Sequence, residues 1–115
     1  MFDFEKLTVY QKSKQYNKRI NQFLLDNKMD RTTHDQLRRA SFSIMLNIAE
    51  GAGRFTKRDK RNFYVISRGS AFECVAIFDY LHDLKKIDPV TFKAFYQELD
   101  ELSRMLFALI KKLSD

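Results

Sequence analysis

From Phe92 to Leu113 a large apolar side chain returns at alternating steps of three and four residues: Phe92, Phe95, Leu99, Leu102, Leu106, Leu109 and Leu113. That spacing places all seven on one stripe of a helix but scatters them over both faces of a strand. The stretch therefore predicts an α-helix with one buried side. Such a stripe must be covered by other elements, and the rest of the chain supplies them. Val9, Ser13, Tyr16, Ile20 and Phe23 repeat the pattern in a helix expected from about Thr8, as N-cap, to Leu25, with Tyr10 and Leu24 beside the stripe. Leu37, Ser41, Ile44, Ile48 and Gly51 repeat it in a helix expected to start near Thr33, with Gln36 as capping-box partner. That helix should end around Gly51 to Gly53, where glycine would supply a left-handed cap. A further helix is expected from Thr56 to about Lys85 or Lys86, with Phe63, Ile66, Ser70, Glu73, Ile77, Tyr80 and Leu84 as its seam. Asp88-Pro89 reads as an N-cap followed by proline at the first helical position of the last helix.

Three Gly and one Pro among 115 residues leave few places to break the chain, which favours long helices over a series of strands. The connections are short enough to force consecutive helices antiparallel. The expectation is an all-α, up-down-up-down four-helix bundle in which residues 1–115 form one domain. Cys74 is the single cysteine, so no intrachain disulfide is available and nothing calls for an oxidising compartment. The start carries acids where a secretory signal needs a basic run and then an apolar one. The longest uncharged run, Ala40 to Ala49, is about half of a membrane span. These features predict a cytoplasmic protein that does not enter the membrane.

Two helices carry more apolar surface than one bundle needs. Phe42, Met45 and Ala49, with Leu46, make a second stripe on the second helix; Val65, Gly69, Phe72 and Ala76 make one on the third. Covering them calls for homo-oligomerisation or another protein partner.

The net charge of +6 is unevenly spread: residues 1–61 carry +7 and residues 62–115 carry −1. The excess suits either an ordinary solvated helical surface or a face for an anionic partner such as RNA or DNA. Its densest part is Arg54 to Arg61, where Arg54, Lys57, Arg58, Lys60 and Arg61 face one acid, Asp59. Phe55 and Tyr64 offer stacking surfaces or packing residues there, and Arg38 and Arg39 are candidates to extend the basic rim. Five phosphate contacts would give a slope of log K against log salt of about −4 to −5 per subunit.

A polar stripe runs through the apolar ones. Ala40, Ser43, Asn47, Glu50 and Arg54 are spaced at steps of three and four, and Arg68, Ser70 and Glu73 form a second group on the next helix. Ser43, Asn47, Glu50, Arg54, Arg68, Ser70 and Glu73 are expected to satisfy one another between helices or across a subunit boundary, because a buried carboxylate needs partners. An acid–base pair of Glu50 and Glu73 is the only catalytic alternative. A di-iron bundle wants Glu-x-x-His twice, and Asp79-x-x-His82 approaches it once. No base is placed for Cys74, and Gly51-Ala-Gly53 follows a helix without the Lys-Ser/Thr of a phosphate loop. No catalytic residue, cofactor, metal or small-molecule substrate is expected.

QLRRAS at Gln36–Ser41, the Ser43-Ile44, Asn47-Ile48-Ala49-Glu50-Gly51 and Gly53-Arg54 blocks, Arg68-Gly69-Ser70 with Glu73, and FEKLTVYQKS at Phe4–Ser13 together cover nearly the whole chain. In these blocks the sequence resembles the bacterial four-helix-bundle proteins encoded by intervening sequences of 23S rRNA genes. It departs from them at Met45, where many relatives have proline, which implies a less kinked second helix. The resemblance implies an antiparallel bundle, often a ring-shaped homopentamer, with no established enzymatic activity. Related pentamers that accompany diversity-generating reverse transcriptases bind nucleic acid through a basic surface, which implies a binding role by analogy.

Overall fold

The computed structural model describes residues 1–114, and among these it contains helices and no strands. A 3-10 turn at Asp3–Lys6 precedes α1 (Thr8–Asp26), α2 (Arg31–Ala52), α3 (Lys57–Asp83) and α4 (Pro89–Lys112). Each helix packs against its two neighbours around a square, α2 and α3 sharing the largest interface and α1 and α4 the smallest. The antiparallel order shows in pairings that run in opposite directions along neighbouring helices. Tyr16 meets Ser41, Ser41 meets Cys74, Ser43 meets Ser70, and Phe78 and Phe23 meet Phe95. No helix among the described residues is long and apolar enough to cross a membrane.

The stripes of α1, α2 and α4 are the core. Val9, Ser13, Tyr16, Ile20 and Phe23 are the buried residues of α1. Leu37, Ser41, Ile44, Ile48 and Gly51 are buried in α2, joined by Ala40 and Ala52, and Phe95, Leu99, Leu102 and Leu106 are buried in α4. Phe23, Phe78 and Phe95 form an aromatic cluster, with Phe78 and Phe95 stacked at 4.8 Å and Tyr16 edge-on to Phe95. Across the thinner α1–α4 contact, Arg19 donates to Glu98 (Nε to Oε1, 2.7 Å) and Lys12 pairs with Glu101 at 3.1 Å.

The seam of α3 differs from expectation by one position. Tyr64, Ser67, Ala71, Cys74, Phe78 and Leu81 are buried, whereas Ile66, Glu73, Tyr80 and Leu84 of the expected seam are exposed. Both registers carry apolar residues, and the bulkier Phe63, Ile66 and Ile77 lie in the expected one, so spacing within the helix does not choose between them. Packing selects the other. Helices approach closely where the contact side chains are short, and the buried register has Ser67, Ala71 and Cys74 at its centre. There the Ser67 hydroxyl donates to the Ile44 carbonyl at 2.7 Å.

The helix ends also correct several expectations. Thr8 is the first residue of α1 and makes no cap; Leu7 holds that position without a side-chain bond. Asp30, rather than Thr33, caps α2: its carboxylate accepts from the Thr33 N–H at 3.0 Å and from the Thr33 hydroxyl at 2.7 Å. A carboxylate both satisfies an orphan donor and sits favourably at the positive helix end. Asp88 caps α4 as expected, accepting from the Thr91 N–H, and Thr56, where the third helix was expected to open, caps α3 by accepting from the Asp59 N–H. Gly53 is right-handed, at φ −85°, so no left-handed glycine ends α2. Among the described residues the one left-handed residue is Lys85, at φ 58°, just after α3 ends at Asp83. The Lys86 N–H bonds the Leu81 carbonyl and the Lys85 N–H bonds that of His82, a Schellman closure made without glycine.

Candidate nucleic-acid interface

The basic segment occupies the turn between α2 and α3. Gly51 makes that turn tight, for a Cβ there would lie 2.9 Å from Tyr64 Cε1 and 3.0 Å from Phe63 Cβ. Only a residue without a side chain lets α3 start so close to the end of α2. Tyr64 is thereby buried, its hydroxyl pKa raised by desolvation, and it is a packing residue with no face open for stacking. Phe55 is the opposite case: it is 101% exposed, more than any other large apolar side chain described.

The five cations of the segment divide by environment. Lys60 is half-buried, and its ammonium donates to the Ala52 carbonyl at 2.8 Å, closing the C-terminus of α2. Arg54 reaches back to Glu50 at 3.7 Å and lies 4.5 Å over the Phe63 ring. Lys57, Arg58 and Arg61 are exposed and join no ion pair among the described residues. All three stand in the first turns of α3, at its positive end.

Arg38 and Arg39 are exposed on α2 some four turns earlier, roughly 20 Å along the helix axis from the turn. Arg38 instead shares a groove between α1 and α2 with Lys14, Lys18, Asn17, Phe42 and Met45. Lys14 and Lys18 are therefore members of a second cationic strip that sequence reading did not connect to Arg38. Their spacing of four residues on α1 was the available signal, but which helix face it met was not.

The polar motif residues fall into separate groups within one chain. Ser43 and Ser70 share a hydrogen bond of 2.8 Å between α2 and α3, and the Asn47 amide donates to the Ser43 hydroxyl and carbonyl, both at 2.9 Å. Glu50 and Arg54 pair at the end of α2. Arg68 turns to the opposite side, donating to the Ser103 carbonyl at 3.2 Å with its guanidinium 4.7 Å from the Phe72 ring and 5.4 Å from that of Phe107. Glu73 is exposed and makes neither a hydrogen bond nor an ion pair among the described residues.

The buried polar cluster lies elsewhere, in the middle of the core. The Tyr16 hydroxyl and Ser41 hydroxyl are 3.1 Å apart, and the Ser41 oxygen is 3.4 Å from the Cys74 sulfur. The Asn17 amide donates to the Ser13 and Ser41 carbonyls at 2.9 and 2.8 Å. Burial, with a smaller contribution from Cys74, raises the Tyr16 pKa well above its ordinary value; burial likewise raises that of the Cys74 thiol. Both groups stay protonated at neutral pH, so Cys74 is a packing and hydrogen-bonding group rather than a nucleophile. Among the described residues no three His, Cys, Asp or Glu side chains gather as metal ligands do.

The square of antiparallel helices with polar motif residues along α2 and α3 defines an all-α bundle protein. The chain belongs to the 23S rRNA-intervening sequence protein family, whose model matches residues 5–108. A similar solved structure is a protein of unknown function from the S23 ribosomal protein family of Bacteroides thetaiotaomicron. It superposes with a TM-score of 0.85 at 23% identity, over 90% of this chain and 99% of that one. At that identity the likeness establishes the fold. A comparison with curated proteins finds no match.

Proposed function

We propose that this chain is a non-enzymatic, cytoplasmic subunit of a homo-oligomer that binds RNA or DNA through the turn between α2 and α3. The observation that carries the reading is the placement of Lys57, Arg58 and Arg61. Lys57 and Arg58, in the first turn of α3, oppose the helix dipole at a cost of about 0.3–1 kcal/mol each, an effect that fades by Arg61. Folding alone favours acids there, and Asp59 is the only one in the first turn. Charges held against local stability and left without partners support a surface meant for anions. Arg54 adds a fourth charge once its weak, exposed pairing with Glu50 is exchanged for phosphate.

Homo-oligomerisation is supported by exposed apolar residues on both flanks of α3. Ile66, Tyr80 and Leu84 share one exposed stripe of α3; Val65 and Phe72 lie on another, where Phe72 lines a groove with Tyr96 of α4 and shares the Arg68 guanidinium with Phe107. The family resemblance makes a pentamer the expected count. The same residues favour a second reading, an adaptor that binds another protein and no nucleic acid.

The test is fluorescence anisotropy with labelled RNA and DNA across a salt series, alongside light scattering. Three phosphate contacts give a log–log salt slope of about −2 on single strands and about −3 on duplex per subunit. No retention of either nucleic acid at low salt overturns the binding reading in favour of the adaptor, and a monomer mass at micromolar concentration overturns the oligomer.

A further inference from the structure

Phe55 is the most exposed of the large apolar side chains described, and it lies inside the basic segment. The residues on either side of it are pinned: the Arg54 N–H bonds the Gly51 carbonyl at 3.2 Å, the Thr56 hydroxyl caps α3, and Lys60 ties α3 to the end of α2. The ring is thus presented in water on a short, doubly anchored turn. Leaving a phenylalanine unburied forfeits about 1.5–3 kcal/mol of apolar burial, and nothing within the chain recovers it.

What covers Phe55 must also tolerate its neighbours. Arg54, Lys57 and Arg58 surround it in sequence and are exposed. An apolar partner surface closing over the ring would strip water from those cations without replacing it, a costly exchange. A nucleotide matches both halves of the site, since its base offers a π-face and its phosphates offer the counter-charge. In a duplex the bases are already stacked on one another, whereas a single strand presents unstacked faces.

We propose that Phe55 is a base-stacking platform, and that the turn between α2 and α3 takes single-stranded RNA or DNA in preference to duplex. The proposal rests on the nucleic-acid reading above and deepens it by naming the class of ligand. Stacking tolerates any base, so the site binds with little sequence preference.

The experiment is fluorescence anisotropy of the full chain with oligo-dT and oligo-U of about 20 nucleotides and with a mixed-sequence duplex of equal length. The wild type, Phe55→Ala and Phe55→Trp are compared at one low salt concentration. The wild type is expected to bind both single strands more tightly than the duplex. Phe55→Ala is expected to weaken single-strand binding about 5- to 100-fold while changing duplex affinity little, and Phe55→Trp to restore it. Because the ring packs against nothing, circular dichroism and Tm should be those of the wild type.

If the wild type binds but Phe55→Ala binds single strands equally well, stacking is overturned and the nucleic-acid reading survives. Wild-type affinity for duplex equal to or tighter than that for single strands overturns the single-strand preference, and an equal loss on both in Phe55→Ala overturns the single-strand platform in favour of a wedge between base pairs. A lower light-scattering mass for Phe55→Ala overturns the proposal in favour of a subunit contact. Absence of binding by the wild type overturns both the proposal and the reading beneath it.

Discussion

Replacing Ser41 by alanine tests whether the polar groups inside this bundle act as a unit. The Ser41 hydroxyl is the hydrogen-bond partner of the Tyr16 hydroxyl, and both residues are wholly buried. Ser41→Ala removes one oxygen and leaves the Tyr16 hydroxyl in the core with only the weakly hydrogen-bonding Cys74 thiol beside it. An orphaned buried hydroxyl costs about 1–3 kcal/mol, so the expected loss is about 2 kcal/mol, or about 6–10 °C in Tm for a chain of this size. Tyr16→Phe is milder, at about 0.5–1.5 kcal/mol, because Ser41 keeps Cys74 as a partner at 3.4 Å. The decisive measurement is the double variant. With both hydroxyls gone no orphan remains, so Tyr16→Phe/Ser41→Ala should be less destabilised than the sum of the singles by about 1 kcal/mol or more. Urea unfolding followed by circular dichroism reads all four corners of the cycle. Additivity within about 0.5 kcal/mol would refute the reasoning, since it would mean that the two hydroxyls do not depend on each other.

Gly51→Ala should destabilise by about 1–2 kcal/mol, overpacking against Tyr64 and Phe63 outweighing the gain in helix propensity; the same change in a Tyr64→Leu background should cost less, read by Tm. Lys85→Gly should stabilise by about 0.5–1 kcal/mol in urea unfolding, because glycine enters the left-handed cap without the steric penalty. Alkaline pH should weaken the fold: the Cys74 and Tyr16 pKa values are raised by burial, so the unfolded chain releases these protons first. The stability they contribute is fully present below the unfolded values and is lost as pH rises through about 8.5 for the thiol and about 10 for the phenol, at up to about 1.4 kcal/mol per unit for each. Urea midpoints from neutral pH upward check this, and Cys74→Ala should delay the first loss.

The sequence alone determined the helices, their antiparallel order and three of the four core stripes, since each rests on spacing within one helix. Phe95, Leu99, Leu102 and Leu106 had no competing register, and Val9 to Phe23 alternated cleanly with Lys and Asn. The close approach at Gly51 and the buried face of α3 were left to the tertiary structure. On α3 the registers through Ile66 and through Ser67 are both partly apolar, and only the α2 backbone, by coming within reach of the Ser67 hydroxyl, selects the one with small side chains. The candidate site divides in the same way. Composition picked out the cations of Arg54 to Arg61, but a charge says nothing of what already engages it. Only the folded chain turns Lys60 inward to the Ala52 carbonyl, buries Tyr64 against Gly51 and leaves Phe55 in water. It also sends Arg68 toward α4, away from Ser70 and Glu73. Periodicity is a property of one helix at a time, whereas burial and ion pairing belong to the contact between two, and that contact exists only once the bundle has closed.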